Sequence, residues 1–332
     1  MRRRQSAERC DLSVVVVTHN GRDMALRTLR SAQAAAVGVR AEWIVVDNES
    51  TDGTPEAIER ELEDVEVIRA PNRGFAAGNN AGIARAGGRY VLLLNPDVEV
   101  QTGSLADLIA AVDSRPDVGI ASVAQHGADG ELQFSMRRFP SPTRDLGESL
   151  FAAHWPVFKT LQELETRAER YQEETSPDWV VGAFMLVRAE AIASIGPMDE
   201  RFFLYSEEID WCFRARRCGW DVRHLPLMTV THHAGRRDRG DLMAQLAHSR
   251  LLFARKHHGW LSALGIRAAL ALGCVLRIAA RMPLATVDPA SRERIGAERR
   301  ALAVLLGLAQ PPLKASPSAS SPAPTAVLGG VR

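Results

Sequence analysis

Residues 89–98 read RYVLLLNPDV, an apolar run that ends in a short polar turn. Consecutive apolar residues without alternation predict a strand that is covered on both faces. Pro96 has no N–H to donate, so a central strand should end at Asn95. Ligands of open α/β sheets bind just beyond the carboxyl ends of the strands, which brings Asp97 within reach of a substrate. This carboxylate is therefore a candidate Mg²⁺ ligand, with a plain Asn-Pro-Asp turn as the alternative.

The residues before this strand repeat a strand–helix pattern. The β-branched runs 13–17 (SVVVV), 42–46 (EWIVV) and 65–68 (VEVI) predict strands, and the intervening segments have helical spacing. A second helix should start at Thr54 as N-cap, and another should run from residue 102 to 112. Alternating strands and helices predict a largely parallel sheet with right-handed crossovers. Its carboxyl edge would collect the polar side chains Thr18, Asn20, Asp47, Asn72 and Asp97.

Two classes of protein compete at this edge. A dinucleotide-binding oxidoreductase would use Asp47 on a ribose hydroxyl, but its first turn needs three glycines and residues 18–21 (THNG) contain one. The chain also lacks a Walker loop. The net charge of +1 provides no field that favours nucleic acid, and the four cysteines have no zinc or disulfide spacing.

Four motifs, taken in order, resemble those of inverting family 2 glycosyltransferases with the GT-A fold, and the rhamnosyltransferase branch most closely. They are residues 17–20 (VTHN), 45–50 (VVDNES), 72–80 (NRGFAAGNN) and 94–97 (LNPD). The resemblance extends over residues 12–259. It implies an α/β fold with a Rossmann-like, mostly parallel central sheet flanked by helices.

The resemblance also implies roles for individual residues. Asp97 would be the last acid of a D-x-D motif that holds Mg²⁺ or Mn²⁺ on the donor diphosphate, and His232 in the segment 231–235 (THHAG) is a second candidate ligand. Asn95 replaces the first acid, which leaves metal dependence open. The acceptor would lie near Trp179, Gly182 and Ala183. The candidate nucleotide-sugar contacts are Thr18, Asn20, Asp47, Asn48, Asn72, Gly74, Phe75, Asn79 and Asn95.

A second acidic centre follows at residues 206–214 (SEEIDWCFR). Inverting transfer needs a base opposite the diphosphate to take the proton from the attacking hydroxyl. We predict that Glu208 is this base and that Glu207 and Asp210 position it or tune its pKa. An acidic helix start that is stabilised by the helix dipole remains the alternative.

The expected organisation is a disordered basic arm (1–11), a GT-A domain (12–259), C-terminal apolar or amphipathic helices (260–310) and a disordered tail (311–332). The nucleotide-sugar half of the domain would be residues 12–125 and the acceptor half 126–259. Within 261–280, Arg267 and Arg277 interrupt the apolar run, so it falls short of an uncharged transmembrane span. An interfacial helix on anionic lipid and a core-packing helix hairpin both remain open.

The expected activity is transfer of a hexose or deoxyhexose such as rhamnose from a dTDP- or UDP-linked donor. The acceptor would be a lipid-linked or polysaccharide hydroxyl in cell-envelope glycan synthesis, with inversion at the anomeric carbon. We expect a cytoplasmic protein, with peripheral contact on the inner face of the plasma membrane as an option. The alternatives are a catalytically silent nucleotide-sugar-binding scaffold and an NAD-dependent oxidoreductase.

Overall fold

The computed structural model describes residues 10–150, 162–233 and 239–313. The basic arm (1–11) and the tail (311–332) lie almost entirely outside the described residues. The strands are β1 (Leu12–Thr18), β2 (Ala41–Asn48), β3 (Val65–Ala70), β4 (Tyr90–Leu94), β5 (Val98–Thr102), β6 (Val118–His126), β7 (Met136–Arg137), β8 (Trp179–Val180), β9 (Phe184–Arg188) and β10 (Asp221–His232). The helices are α1 (Arg22–Ala35), α2 (Thr54–Glu61), α3 (Phe75–Ile83), α4 (Leu105–Asp113), α5 (Pro142–Ser149), α6 (Ala189–Ile195), α7 (Glu207–Arg217), α8 (Arg239–His257), α9 (Gly259–Arg281) and α10 (Pro289–Leu305).

Eight strands form one mixed sheet in the order β3-β2-β1-β4-β9-β6-β10-β5. Strand β1 pairs in parallel with β2 and β4, and β2 pairs in parallel with β3. Strand β9 runs antiparallel to β4 and β6, and β5 runs antiparallel to β10. The predicted α/β architecture is confirmed, and the carboxyl ends of β1 to β4 share one edge.

Strand β1 shows why the strand runs are continuously apolar. Val14 and Val16 face one core cluster, which includes Leu29 of α1, and Val15 and Val17 face the other. Helix α3 packs very closely on the second face, because a Cβ at Gly78 would lie 2.6 Å from Val17 Cγ1. Burial on both faces removes the polar alternation that a one-sided sheet would show.

Two local predictions were wrong. After the turn at Pro96 the chain forms the edge strand β5, so α4 starts only at Leu105, where Ser104 Oγ accepts a hydrogen bond of 3.1 Å from the Ala106 N–H. Thr54 is the first residue of α2 and not its N-cap. Its hydroxyl donates to Asp52 Oδ1, and Gly53, with φ of 78°, takes the N-cap position.

The C-terminal helical extension is confirmed. Helices α8, α9 and α10 enclose a small core that includes Leu251, Ile266 and Leu305, and α5 packs on α9. By length and composition alone, the segment Gly259–Leu284 could cross a membrane, contrary to our expectation that it falls short.

Candidate active site

The nucleotide edge begins with Thr18 and Asp47, which are register partners at the ends of β1 and β2. Both side chains are buried. Asp47 Oδ2 accepts a hydrogen bond of 3.0 Å from the Ser50 N–H. Asp47 Oδ1 and Thr18 Oγ1 have no hydrogen-bond partner within the described ranges. Because unpaired buried polar atoms are costly, these two oxygens are suited to a polar ligand.

Asn20 braces the loop between β2 and α2. Its backbone is left-handed, with φ of 53°, and its N–H donates to Ser50 Oγ at 2.9 Å. Its Oδ1 accepts from the Thr51 N–H at 2.8 Å. The side chain of Asn20 therefore shapes the loop that borders Asp47.

The loop before α3 joins the nucleotide edge to the loop before α7. Asn48 Nδ2 donates to the Gly74 carbonyl at 3.1 Å, and the Phe75 N–H donates to the Phe203 carbonyl at 2.8 Å. Gly74 has φ of 97°, and a Cβ there would collide with the Phe203 backbone. Only glycine fits this close approach. The contact between this loop and Phe203 therefore explains the glycine at position 74 of the sequence motif.

Two predicted donor contacts, Asn72 and Asn79, are engaged in local bonds. Asn72 Oδ1 accepts from the Gly74 N–H at 3.2 Å. Asn79 is buried, and its Nδ2 donates to the Phe75 carbonyl at 2.9 Å. Both amides hold the loop and the start of α3, and their direct contact with a donor stays a prediction.

The predicted metal ligands Asp97 and His232 lie together, with 3.4 Å between Asp97 Oδ1 and His232 Nε2. His232 Nδ1 is 3.2 Å from Gln133 Oε1, and Gln133 Nε2 donates to the His232 carbonyl at 3.0 Å. An amide oxygen only accepts, so Nδ1 donates to Gln133, which in a neutral ring leaves the Nε2 lone pair available to a cation beside Asp97. Gln133 was missed in the sequence because no motif surrounds it.

One carboxylate and one imidazole fit a divalent cation that takes its other ligands from phosphate and water. Among the described residues there is no group of three or more His, Cys, Asp or Glu that could hold a metal without such help. Asn95 Oδ1, two residues before Asp97 in the sequence, is buried and has no hydrogen-bond partner within the same ranges. Ala234 and Gly235 of the predicted segment lie outside the described residues.

Glu207 and Glu208 start α7 after two left-handed residues, Tyr205 and Ser206, with φ of 67° and 66°. Such backbone is costly for residues other than glycine and is found most often at functional sites. Both carboxyl groups are buried, and Oε2 of each has no hydrogen-bond partner in the described part of the chain. The strained backbone before α7 thus holds the carboxyl groups of Glu207 and Glu208 out of water.

Desolvation dominates the protonation of this pair. Burial raises the pKa of Glu208 to about 7, opposed by its own N–H and by the charge of Arg137. Burial, with the charge of Glu208, raises the pKa of Glu207 well above its ordinary value. Burial is the main cause of both shifts, and the two carboxyl groups titrate as an interacting pair.

The turn between β8 and β9 lies between the candidate base and the metal loop. A Cβ at Gly182 would be 3.5 Å from Glu208 Cβ and 3.8 Å from Phe75 Cε1. The Ala183 carbonyl accepts the Asn95 N–H at 2.9 Å. Gly182 and Ala183 thus connect the donor loop, the metal loop and α7.

Trp179, the third predicted acceptor residue, is buried in β8. Its Nε1 donates to the Arg138 carbonyl at 2.9 Å, and the Arg137 guanidinium lies 5.4 Å from its ring centroid. These contacts hold Trp179 against the segment that contains Arg137 and Arg138. Contact between Trp179 and an acceptor stays a prediction.

Asp210 is fully buried but, unlike Glu208, is surrounded by cations. Its Oδ1 accepts from Lys256 Nζ and His257 Nε2, each at 2.6 Å, and its Oδ2 accepts from Arg214 Nε at 2.9 Å. Burial raises the pKa of Asp210, but the bonds from His257 and Lys256 and the charge of Arg214 bring it below its ordinary range. Asp210 is therefore a fixed anion that joins α7 to α8.

Comparison with known proteins finds two rhamnosyltransferases with similar sequences. The chain is 29% identical over 266 residues to N-acetylglucosaminyl-diphospho-decaprenol L-rhamnosyltransferase of Mycobacterium tuberculosis, covering 75% of this chain and 86% of that protein. It is 24% identical to rhamnosyltransferase WbbL of Escherichia coli K12, covering 67% and 83%.

Solved structures support the fold. A mannosyltransferase from Pyrobaculum calidifontis, in complex with GDP-Man and Mn²⁺, superposes with a TM-score of 0.55 at 16% identity, covering 90% of this chain and 87% of that one. GalNAc-T7 with UDP, GalNAc and Mn²⁺ superposes with a TM-score of 0.53 at 16% identity, covering 74% and 48%. The glycosyl transferase family 2 model matches residues 13–196, more than half of the chain. The protein therefore belongs to glycosyl transferase family 2.

Proposed function

We propose that this glycosyltransferase moves rhamnose, with inversion, from a nucleoside diphosphate donor to a hydroxyl of a lipid-linked acceptor. The observation that carries the proposal is the buried carboxyl group of Glu208, whose pKa of about 7 allows it to gain or lose a proton near neutrality. Gly182 lies between this side chain and Phe75 of the donor loop. Both relatives are rhamnosyltransferases, and the mycobacterial one is named for a lipid-linked acceptor. The products would enter cell-envelope glycans.

The donor side would bind through the carboxyl edge of the sheet. The unpartnered oxygens of Thr18 and Asp47 would accept bonds from the nucleoside. Asp97 and His232 would hold Mg²⁺ or Mn²⁺ against the diphosphate, where a bound cation stabilises the charge of the leaving group. We propose a dTDP- or UDP-linked donor.

Glu208 would act on the acceptor side as general base. In its carboxylate form it takes the proton of the attacking hydroxyl while the oxygen bonds to the anomeric carbon and the bond to the diphosphate breaks. A single displacement from the face opposite the leaving group inverts the configuration. Because burial raises its pKa, Glu208 is a stronger base than an exposed glutamate.

Purified protein should be incubated with dTDP-rhamnose, UDP-glucose or GDP-mannose and with N-acetylglucosaminyl-diphospho-prenol. We expect transfer from dTDP-rhamnose, loss of transfer on chelation, recovery with Mn²⁺ or Mg²⁺, and a product of inverted anomeric configuration by NMR. Preferential transfer of another sugar would contradict the proposed donor. A product with retained configuration at the anomeric carbon would contradict the inverting mechanism. The site of action we propose is the cytoplasmic face of the plasma membrane.

A further inference from the structure

Exposed hydrophobic side chains are concentrated in one part of the molecule. Among the described residues, all the large exposed ones except Val37 and Leu227 lie in or next to α5, α8, α9 and α10. Exposed apolar side chains concentrated in one region of a protein indicate a candidate interaction site.

Helix α9 carries the centre of this surface. Leu261, Leu264, Leu272 and Val275 recur at helical spacing and are exposed, and Trp260 in the first turn is 73% exposed. The opposite face, which includes Ile266, is buried against α8 and α10. The helix is therefore apolar on both faces and uses only one of them within the fold.

The charges of this segment have one sign. Residues 259–287 contain Arg267, Arg277 and Arg281 and no Asp or Glu. Arg277 is paired with Glu298 of α10 at 2.6 Å, and Arg281 lies 3.9 Å from the same carboxylate. Glu298 engages Arg277 and Arg281, which leaves Arg267, three residues after the exposed Leu264, as the arginine of this segment that complements an anionic lipid surface.

Two other occupants fit less well. A second copy of α9 would bring Arg267 against a segment that has no Asp or Glu to pair with it. A membrane-spanning α9 would have to leave α5 and α10. That movement would break the 2.7 Å bond from Ser149 Oγ to the Ala269 carbonyl and separate Arg277 from Glu298 in hydrocarbon.

We propose that the exposed face of α9 docks in the plane of an anionic lipid surface without crossing it. This proposal deepens the proposed function and rests on it, because a lipid-linked acceptor is the reason that the protein would need a lipid surface. Helix α9 starts two residues after His257, which bonds Asp210 on α7. Docking through α9 would therefore place the helix that carries Glu208 close to a lipid-linked acceptor.

Vesicle sedimentation of the full-length protein tests the proposal without any turnover. We expect binding to phosphatidylcholine vesicles that contain roughly a third phosphatidylglycerol, and much weaker binding to phosphatidylcholine alone. Leu264→Asp with Leu272→Asp should reduce binding at least about tenfold. Arg267→Gln should reduce it about fivefold on the anionic vesicles only.

The matched control is Val37→Asp with Leu227→Asp, which changes the two exposed hydrophobic residues outside the helical region and should bind like wild type. Absence of wild-type binding, or equal binding by the α9 double variant, would overturn the proposal. A solution dimer that the α9 variant dissociates would assign the face to a second copy instead. Wild type that carbonate cannot extract from membranes would indicate a spanning helix and also overturn it. Vesicle binding without any sugar transfer would leave the docking intact and contradict the proposed function alone.

Discussion

Glu208 and Asp210 lie two residues apart on α7, and their surroundings are opposite. Glu208 is buried with one oxygen unpartnered among the described residues, and burial raises its pKa to about 7. Asp210 is buried among Arg214, Lys256 and His257, whose bonds and charges lower its pKa. Desolvation that the distant charge of Arg137 only partly offsets makes Glu208 a proton acceptor, whereas desolvation offset by direct bonds to Lys256 and His257 keeps Asp210 an anion. The comparison separates a chemical role from a structural one within one helical turn.

The largest effect that would test this contrast is on turnover. Glu208→Gln keeps the shape of the side chain and removes the base, so the rate of sugar transfer should fall by about 10² to 10⁴. Donor binding, followed by calorimetry, should stay within about threefold, since Glu208 lies on the acceptor side. A variant that transfers sugar at close to the wild-type rate would remove Glu208 from the mechanism.

The next effect is on stability. Asp210→Asn leaves Arg214 and the His257 ring without their carboxylate and leaves Lys256 with Asp199 alone, so the free energy of unfolding at pH 7 should fall by about 3 to 5 kcal/mol in urea titrations. The stabilisation from Asp210 is present above its unfolded pKa and is lost as the pH falls through its lower folded pKa, so the two proteins should converge in acid. Asp241→Asn, at an exposed position on α8, is the control and should change little. Equal stability of Asp210→Asn and wild type would contradict the fixed-anion role.

Glu208 should show the opposite pH dependence. Its folded pKa is above its unfolded one, so its favourable contribution is complete below the unfolded pKa and is lost as the pH rises through about 7. Glu208→Gln does not undergo this loss. Its free energy of unfolding relative to wild type should therefore rise by up to roughly 3 kcal/mol between acid and mildly alkaline pH. Chemical denaturation at several pH values measures the difference. Parallel stability curves for the two proteins would show that burial does not perturb Glu208.

The smallest effect concerns the metal pair. Gln133→Leu removes the partner that sets the tautomer of His232, so the apparent affinity for Mn²⁺ should fall about 10- to 100-fold. Titration of activity with Mn²⁺ measures this change, and saturating metal should restore much of the rate. Gln172→Leu, at an exposed position, is the control. An unchanged Mn²⁺ requirement in Gln133→Leu would argue against His232 as a ligand.

The parts of the fold that were predictable depend on local patterns. The continuous apolar runs of β1, β2 and β4 identified strands covered on both faces, and the residues that follow them were placed correctly at one sheet edge. Strand β5 was missed although VEVQT alternates apolar and polar residues, because it is only five residues long and its pairing partner, β10, is more than a hundred residues away. Short edge strands depend on distant pairing more than on propensity.

The candidate site was predictable as a set of residues but not as a set of roles. Within α7 the i,i+4 spacing of Asp210 and Arg214 is the one local difference between Glu208 and Asp210, and the other partners of Asp210, Lys256 and His257, come from the far end of α8. Gln133 likewise reaches His232 across about a hundred residues. Protonation and ligand orientation follow from such distant contacts, which a linear motif does not contain.

The pH dependence of kcat/KM for sugar transfer, measured for wild type and for Glu208→Gln, tests the central claim most directly. The base must be ionised, so wild-type kcat/KM should rise with pH through an apparent pKa near 7 that belongs to the Glu207–Glu208 pair. Glu208→Gln should retain a low rate without that rise. A wild-type profile that is flat from about pH 5 to about pH 9, or the same rise in Glu208→Gln, would contradict the assignment of Glu208 as the base.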